Sequence, residues 1–96
     1  MDYKEKIKQL AKILEEMINI MSSDKKDKRL VTITNLYNRV QKANKNELSD
    51  IRREIIRLNG GMGSFFDMGA GSTELQSIRF FELSNKLFDA AVEVIR

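Results

Sequence analysis

Residues 2–21 of the chain read DYKEKIKQLAKILEEMINIM. Successive apolar positions in this stretch are four, three, four, three and four residues apart: Tyr3, Ile7, Leu10, Leu14, Met17 and Met21. This spacing puts all of them on one face of an α-helix, because the helix repeats every 3.6 residues. The segment is therefore predicted to be an amphipathic helix that buries one stripe against the rest of the protein.

Two more segments show the same helical spacing. The apolar residues are Leu30, Ile33, Tyr37 and Val40 within residues 28–44, and Leu48, Ile51, Ile55 and Leu58 within residues 47–59. Residues 30–34 are also rich in β-branched side chains, which favour strands. The apolar spacing nevertheless continues for two further turns and no hairpin turn signal lies nearby, so both segments are predicted to be helices.

A fourth helix is predicted over residues 73–95. Thr73 followed by Gln76 has the pattern of a capping box at its start. The helix then carries two apolar rows, one with Phe80, Leu83, Leu87, Ala91 and Val94 and one with Ile78, Phe81, Phe88, Val92 and Ile95. A helix that is apolar on two sides is expected at the centre of a bundle or in an oligomer interface.

Size and composition point to one all-α domain over residues 1–96. The chain has 96 residues, of which 42% are hydrophobic, so it supports one core in a compact four-helix arrangement with a glycine-rich loop before the last helix. No apolar run is long enough to cross a membrane, and residues 1–6 are too polar for a signal peptide. The expected location is the cytoplasm, or the host cytoplasm if the protein is phage-encoded.

The chain lacks the side chains that most enzymes use. It has no Cys and no His, which removes thiolate chemistry, the commonest general base and the commonest metal ligands. Ser64 has no suitable base visible in the sequence. We therefore expect no enzymatic activity, no metal and no cofactor.

The charge of the chain, +3 overall, changes character between its halves. The cations of the first half are mainly Lys, whereas those of the second are mainly Arg: Arg52, Arg53, Arg57, Arg79 and Arg96. A dense basic stripe or a recognition element for double-stranded DNA is absent from the sequence, so neither DNA nor a membrane is an expected partner. Arg suits planar contact with phosphate or carboxylate, which directs attention to the second half.

The candidate ligand site is the stretch NGGMGSFFDMGAGST, residues 59–73, which contains all five glycines of the chain. Glycines allow backbone N–H groups to approach a ligand, and the start of the following helix offers further donors to an anion. Arg57 and Arg79 flank the stretch and supply charge, while Phe65 and Phe66 offer rings for stacking. The predicted ligand-binding residues are Arg57, Asn59, Gly60, Gly61, Met62, Gly63, Ser64, Phe65, Phe66, Asp67, Ser72, Thr73 and Arg79.

Two other interpretations of this loop remain open. The glycines lack the Lys of the nucleotide triphosphatase phosphate loop and the third Gly of the dinucleotide fingerprint, and a purely structural loop would use Ser72 or Thr73 as a helix cap. Alternatively, an exposed apolar loop with Met62, Phe65, Phe66 and Met68 would insert into a partner protein.

Residues 55–67, IIRLNGGMGSFFD, resemble the core of a family of small uncharacterised bacterial and phage proteins. Members carry a helix that ends in Gly-Gly-Met-Gly-Ser, followed by an apolar residue and commonly Asn-Asp. Gly60 to Ser64 and Asp67 match this pattern, whereas Phe66 stands where Asn is usual. The resemblance covers about a fifth of the chain and implies a shared loop, without an established activity.

These features favour a non-catalytic protein that binds an anionic small molecule. The concrete version is sequestration of a nucleotide-type immune signal, in the manner of phage proteins that soak up cyclic nucleotide signals of host defence. A homo-oligomer is expected, because so short a chain gains from burying apolar surface between copies. The alternative is an immunity protein or inhibitor that binds a partner protein through its Gly/Met/Phe loop.

Overall fold

The computed structural model describes residues 3–23, 28–60 and 71–93. These residues form four α-helices, α1 Tyr3–Met21, α2 Arg29–Lys42, α3 Lys45–Gly60 and α4 Glu74–Glu93, and they contain no strand. The predicted all-α fold with four helices is thereby confirmed, including the helical state of residues 30–34. Most of the predicted glycine-rich loop, residues 61–70, lies outside the described residues.

Helix α1 packs against both α2 and α4, while α3 packs against α4 and, less extensively, α2. Helices α1 and α4 run antiparallel. At one end, Ser23 lies beside Gln76, and one groove between the two helices is lined by Gln9 near the start of α1 and Asp89 near the end of α4. The C-terminus of α1 and the N-terminus of α4 therefore meet at the same end of the bundle.

The apolar stripes of all four helices meet in one core. The buried residues are Leu10, Ile13, Leu14, Met17 and Met21 of α1, Ile33, Leu36 and Val40 of α2, Leu48, Ile51 and Ile55 of α3, and Phe80, Leu83, Leu87, Ala90 and Ala91 of α4. These are mostly the positions that the helical spacing selects in the sequence. Burial of such side chains stabilises a domain by about 1.5–3 kcal/mol each, before chain entropy is counted.

The junction between α2 and α3 differs from the predicted boundaries. Helix α2 ends at Lys42 because Ala43 is extended, with φ −69° and ψ 138°. Asn44 then caps α3, since its Oδ1 accepts a hydrogen bond from the backbone N–H of Glu47 at 2.9 Å. Helix α3 consequently begins at Lys45, two residues before the predicted start, and Asn44 belongs to neither helix.

The two apolar rows of α4 have different fates. Phe80, Leu83, Leu87 and Ala91 of the first row are buried in the core. In the second row, Ile78 remains 49% exposed and Phe81 39% exposed, while Phe88 and Val92 are half-buried. Within the described part of the chain, α4 is therefore packed on one side and presents a second apolar face to solvent.

Candidate functional site

The start of α4 is a reciprocal capping box, as the sequence predicts. The backbone N–H of Gln76 donates to Thr73 Oγ1 at 3.1 Å, and the backbone N–H of Thr73 donates to Gln76 Oε1 at 3.2 Å. The backbone N–H of Ser72 donates to the same oxygen at 2.7 Å. Two backbone donors ahead of the helix are therefore satisfied by one side chain, which is the role of such a box.

Gly71 is fitted to this arrangement. Its φ of +86° lies in the left-handed region that L side chains rarely adopt. A Cβ atom at Gly71 would stand 2.7 Å from both Cβ and Oε1 of Gln76, closer than real Cβ atoms approach their neighbours. The last glycine of the loop thus has a structural reason of its own, in addition to any ligand.

The capping box bears directly on the anion-binding prediction. Ser72 and Thr73 were selected because donors at a helix start attract anions. Both backbone N–H groups already point at Gln76 Oε1, and the Oγ atoms of Ser72 and Ser23 each lie 3.2 Å from that oxygen. An anion at this position has to displace the side chain of Gln76.

Arg79 is held across the interface between α4 and α1. Its Nη2 donates to Glu16 Oε2 at 2.8 Å, and its Nη1 donates to Glu82 Oε2 at 3.1 Å. The hydrogen bonds to Glu16 and then to Glu82 raise the pKa of Arg79 above its usual value. The guanidinium therefore stays charged, but two carboxylates already occupy one nitrogen each.

The groove that contains Arg79 is the best-formed concavity along α1 and α4. It has a volume of about 580 Å³, within the range of small-molecule sites. Its floor is apolar and its rim is charged: Gln9, Lys12, Ile13, Glu16, Arg79, Leu83, Lys86, Asp89 and Ala90. Within the described residues, Lys12 and Lys86 take part in no ion pair or hydrogen bond, so both ammonium groups are available to an anion.

The sequence did not single out Lys12, Lys86 or Asp89. Each lies on a polar helix face and looks like an ordinary solvated residue. Only the antiparallel packing of α1 on α4 brings Lys12 and Lys86, 74 positions apart in the chain, to one groove. No local sequence signal reports such a meeting.

The other predicted site residues are only partly placed. Arg57 lies in the last turn of α3, exposed and, within the described part of the chain, without a partner. Asn59 and Gly60 form the end of that helix. The remaining predicted residues, Gly61, Met62, Gly63, Ser64, Phe65, Phe66 and Asp67, lie outside the described residues, so the structure does not bring them together with Arg79.

Two searches of the described residues concern metals and membranes. In residues 3–23, 28–60 and 71–93, no group of three or more Asp, Glu, His or Cys side chains stands ready to hold a metal ion. None of the helices in those ranges has the length and apolar character needed to cross a membrane.

The fold and groove describe a small all-α bundle with a charged cleft between its first and last helices. Comparison with protein-family models, with curated proteins and with solved structures finds no significant match. The resemblance of residues 55–67 to the Gly-Gly-Met-Gly-Ser proteins stays a prediction.

Proposed function

We propose that this chain is a non-catalytic binding protein that sequesters an anionic small molecule, most concretely a nucleotide-type signal. The observation that carries the proposal is the groove between α1 and α4, where Lys12 and Lys86 stand without partners above an apolar floor. A ligand with a flat ring and a phosphate needs these two surfaces together.

The floor and the rim suit different parts of such a ligand. Ile13, Leu83 and Ala90 are buried residues whose remaining surface is apolar, which favours contact with a base or another ring. The ammonium groups of Lys12 and Lys86 favour a phosphate, which each contacts as a point charge. Asp89, also in the lining, is an acceptor for a ligand hydroxyl or amine.

Arg79 acts in this proposal by setting the charge of the groove. Because Arg79 neutralises Glu16, the acid on the α1 side does not repel an incoming anion. Removing the guanidinium leaves Glu16 unpaired beside Lys12 and lowers the positive potential that attracts the ligand. The proposal thus assigns Arg79 a positioning role and assigns direct contact to the two lysines.

The composition supports binding without turnover. The chain has neither His nor Cys, and no described cluster of carboxylates offers a metal-assisted route. A protein with this equipment is better suited to holding a nucleotide than to converting it.

A thermal-shift screen tests the proposal. Purified protein is heated with linear and cyclic nucleotides, dinucleotides and ADP-ribose derivatives. A ligand at a hundredfold excess over its Kd stabilises by about 2.7 kcal/mol. For a domain of this size that is a shift of roughly 10–20 °C. Recovery of the intact compound after heat denaturation then distinguishes sequestration from turnover.

Matched variants locate the site of any hit. Lys12→Ala and Lys86→Ala are expected to abolish most of the shift, whereas Lys8→Ala, another exposed lysine of α1 outside this groove, leaves it intact. Loss with Arg57→Ala and Gly63→Val alone would move the site to the predicted glycine loop. A flat screen contradicts the proposal and favours a protein partner, for which Phe65→Ala in a pull-down is the next experiment.

A further inference from the structure

The exposed apolar row of α4 has the spacing of a coiled-coil seam. Ile78, Phe81, Asn85, Phe88 and Val92 follow one another at intervals of three, four, three and four residues. In heptad terms Ile78, Asn85 and Val92 occupy a positions, and the two phenylalanines occupy d positions. All five lie on the side of α4 away from the buried row of Phe80, Leu83 and Leu87, and each is exposed or half-buried.

We infer that this seam binds a second copy of the same chain, with the two α4 helices side by side and parallel. In that pairing each a residue meets its own symmetry mate, so Ile78 packs on Ile78 and Val92 on Val92 of the partner. β-Branched residues at a favour two-stranded assemblies. The surface is self-complementary, as a two-fold symmetric interface requires.

Asn85 selects this occupant over others. It is exposed and lies at the central a position of an otherwise apolar seam. Against an apolar groove of a foreign protein its amide would be buried without partners, which is unfavourable. Against its own copy, the carbonyl of one amide accepts from the NH₂ of the other, and a single buried Asn of this kind is known to set register and strand number.

Charge decides between the two directions. Glu82 and Asp89 lie along one border of the seam, while Ser77, Ser84 and Ala91 lie along the other. In an antiparallel pair the acidic borders face each other, which sets Glu82 against Asp89 of the partner twice. In a parallel pair each acidic border faces the small, uncharged border of the partner, and like charges stay apart.

The length of the seam sets the strength of the pairing. From Ile78 to Val92 the helix rises about 21 Å, at roughly 1.5 Å per residue. Two and a half heptads are too few for a free-standing coiled coil. Helix α4 is already held by its own bundle, however, so the seam has to associate without also having to fold. An interface of this size is expected to be weak and concentration-dependent.

Sedimentation velocity over a range of protein concentrations tests the inference. The monomer mass is 11.1 kDa, and we expect a reversible shift to twice that mass as concentration rises. Ile78→Lys is expected to weaken association at least tenfold, and Asn85→Asp to weaken it at neutral pH and restore it in acid. Val31→Lys, at an equally exposed apolar residue of α2 (67% exposed), is the control and is expected to leave it unchanged.

A disulfide test reports the direction of the helices, because the chain contains no Cys. Asn85→Cys is expected to give a reducible covalent dimer on oxidation, since matched a positions in a parallel pair lie within disulfide reach. Val31→Cys is expected to give none. A chain that stays monomeric at all concentrations overturns the inference. So does a dimer that Ile78→Lys leaves intact, or one that Asn85→Cys does not cross-link.

Discussion

Replacing Gly71 with Ala tests whether the entry to α4 is as constrained as its geometry indicates. Gly71 has φ +86°, and a left-handed conformation costs an L-residue about 1–2 kcal/mol. The new Cβ would also meet Cβ of Gln76 at 2.7 Å, an atom fixed to the helix backbone that no rotamer change can move away. Relief therefore requires the segment before α4 to shift.

That shift has its own cost. Moving Gly71 away from Gln76 draws the N–H groups of Ser72 and Thr73 away from Gln76 Oε1, and a hydrogen bond contributes about 1 kcal/mol net. With the conformational term, we expect Gly71→Ala to lower the free energy of unfolding by about 2–3 kcal/mol. The corresponding fall in Tm is roughly 10–20 °C for a domain of this size.

Urea denaturation followed by circular dichroism measures this loss. Gly71→Asn, which tolerates the left-handed region better but keeps the close contact, is expected to lose less than Gly71→Ala. In a Gln76→Ala background, where Oε1 and Cδ are absent, the added loss from Gly71→Ala should shrink, because the two residues are coupled. Stability of Gly71→Ala within about 0.5 kcal/mol of the parent would refute the reasoning.

Two further substitutions probe the helix junction and the core. Asn44→Ala is expected to cost about 1 kcal/mol through loss of the cap on α3, while Asn44→Asp retains the acceptor and most of the stability; equal losses for both would contradict the cap. Phe80→Ala, at a fully buried ring that carries Arg29 at 5.2 Å from its centroid, is expected to cost about 3–5 kcal/mol. The neighbouring Phe81→Ala, measured in dilute protein, should cost far less because its ring is 39% exposed, and similar losses for the two would place Phe81 in the core.

The helices could be predicted because each one carries its own period. The α1 stripe from Leu10 to Met21 is buried as its spacing requires, and the β-branched run at residues 30–34 is helical because spacing outweighs propensity there. The capping box of α4 was predictable for a similar reason, since Thr73 and Gln76 are close in the chain and of the required types.

The boundary at Asn44 was harder to predict, because two local signals compete. Residues 28–44 continue the helical pattern, yet Asn44 followed by Glu47 also has the arrangement of a helix start. The structure resolves the competition in favour of the cap, which ends α2 at Lys42. Asn has low helix propensity and a strong preference for caps, so this signal was present in the sequence and deserved more weight.

The partners of Arg79 were not predictable from the sequence. Glu82 is one turn away, but Glu16 is 63 positions distant and reaches Arg79 only because α1 lies beside α4. Four amphipathic helices admit several neighbour arrangements, and their stripes do not state which pairs touch. The groove with Lys12 and Lys86 depends on the same arrangement, so it had to await the structure.

The pairing of α1 with α4 also governs how the chain behaves while it is being made. Between the last residue of α1 and the first of α4 lie 52 residues, which a ribosome adds in roughly 3–10 s at typical elongation rates. During that interval Ile13 and its neighbours lack the Leu83 and Ala90 surface that later adjoins them. The nascent protein therefore exposes an apolar face for seconds, long enough for chaperones to engage it before the last helix emerges.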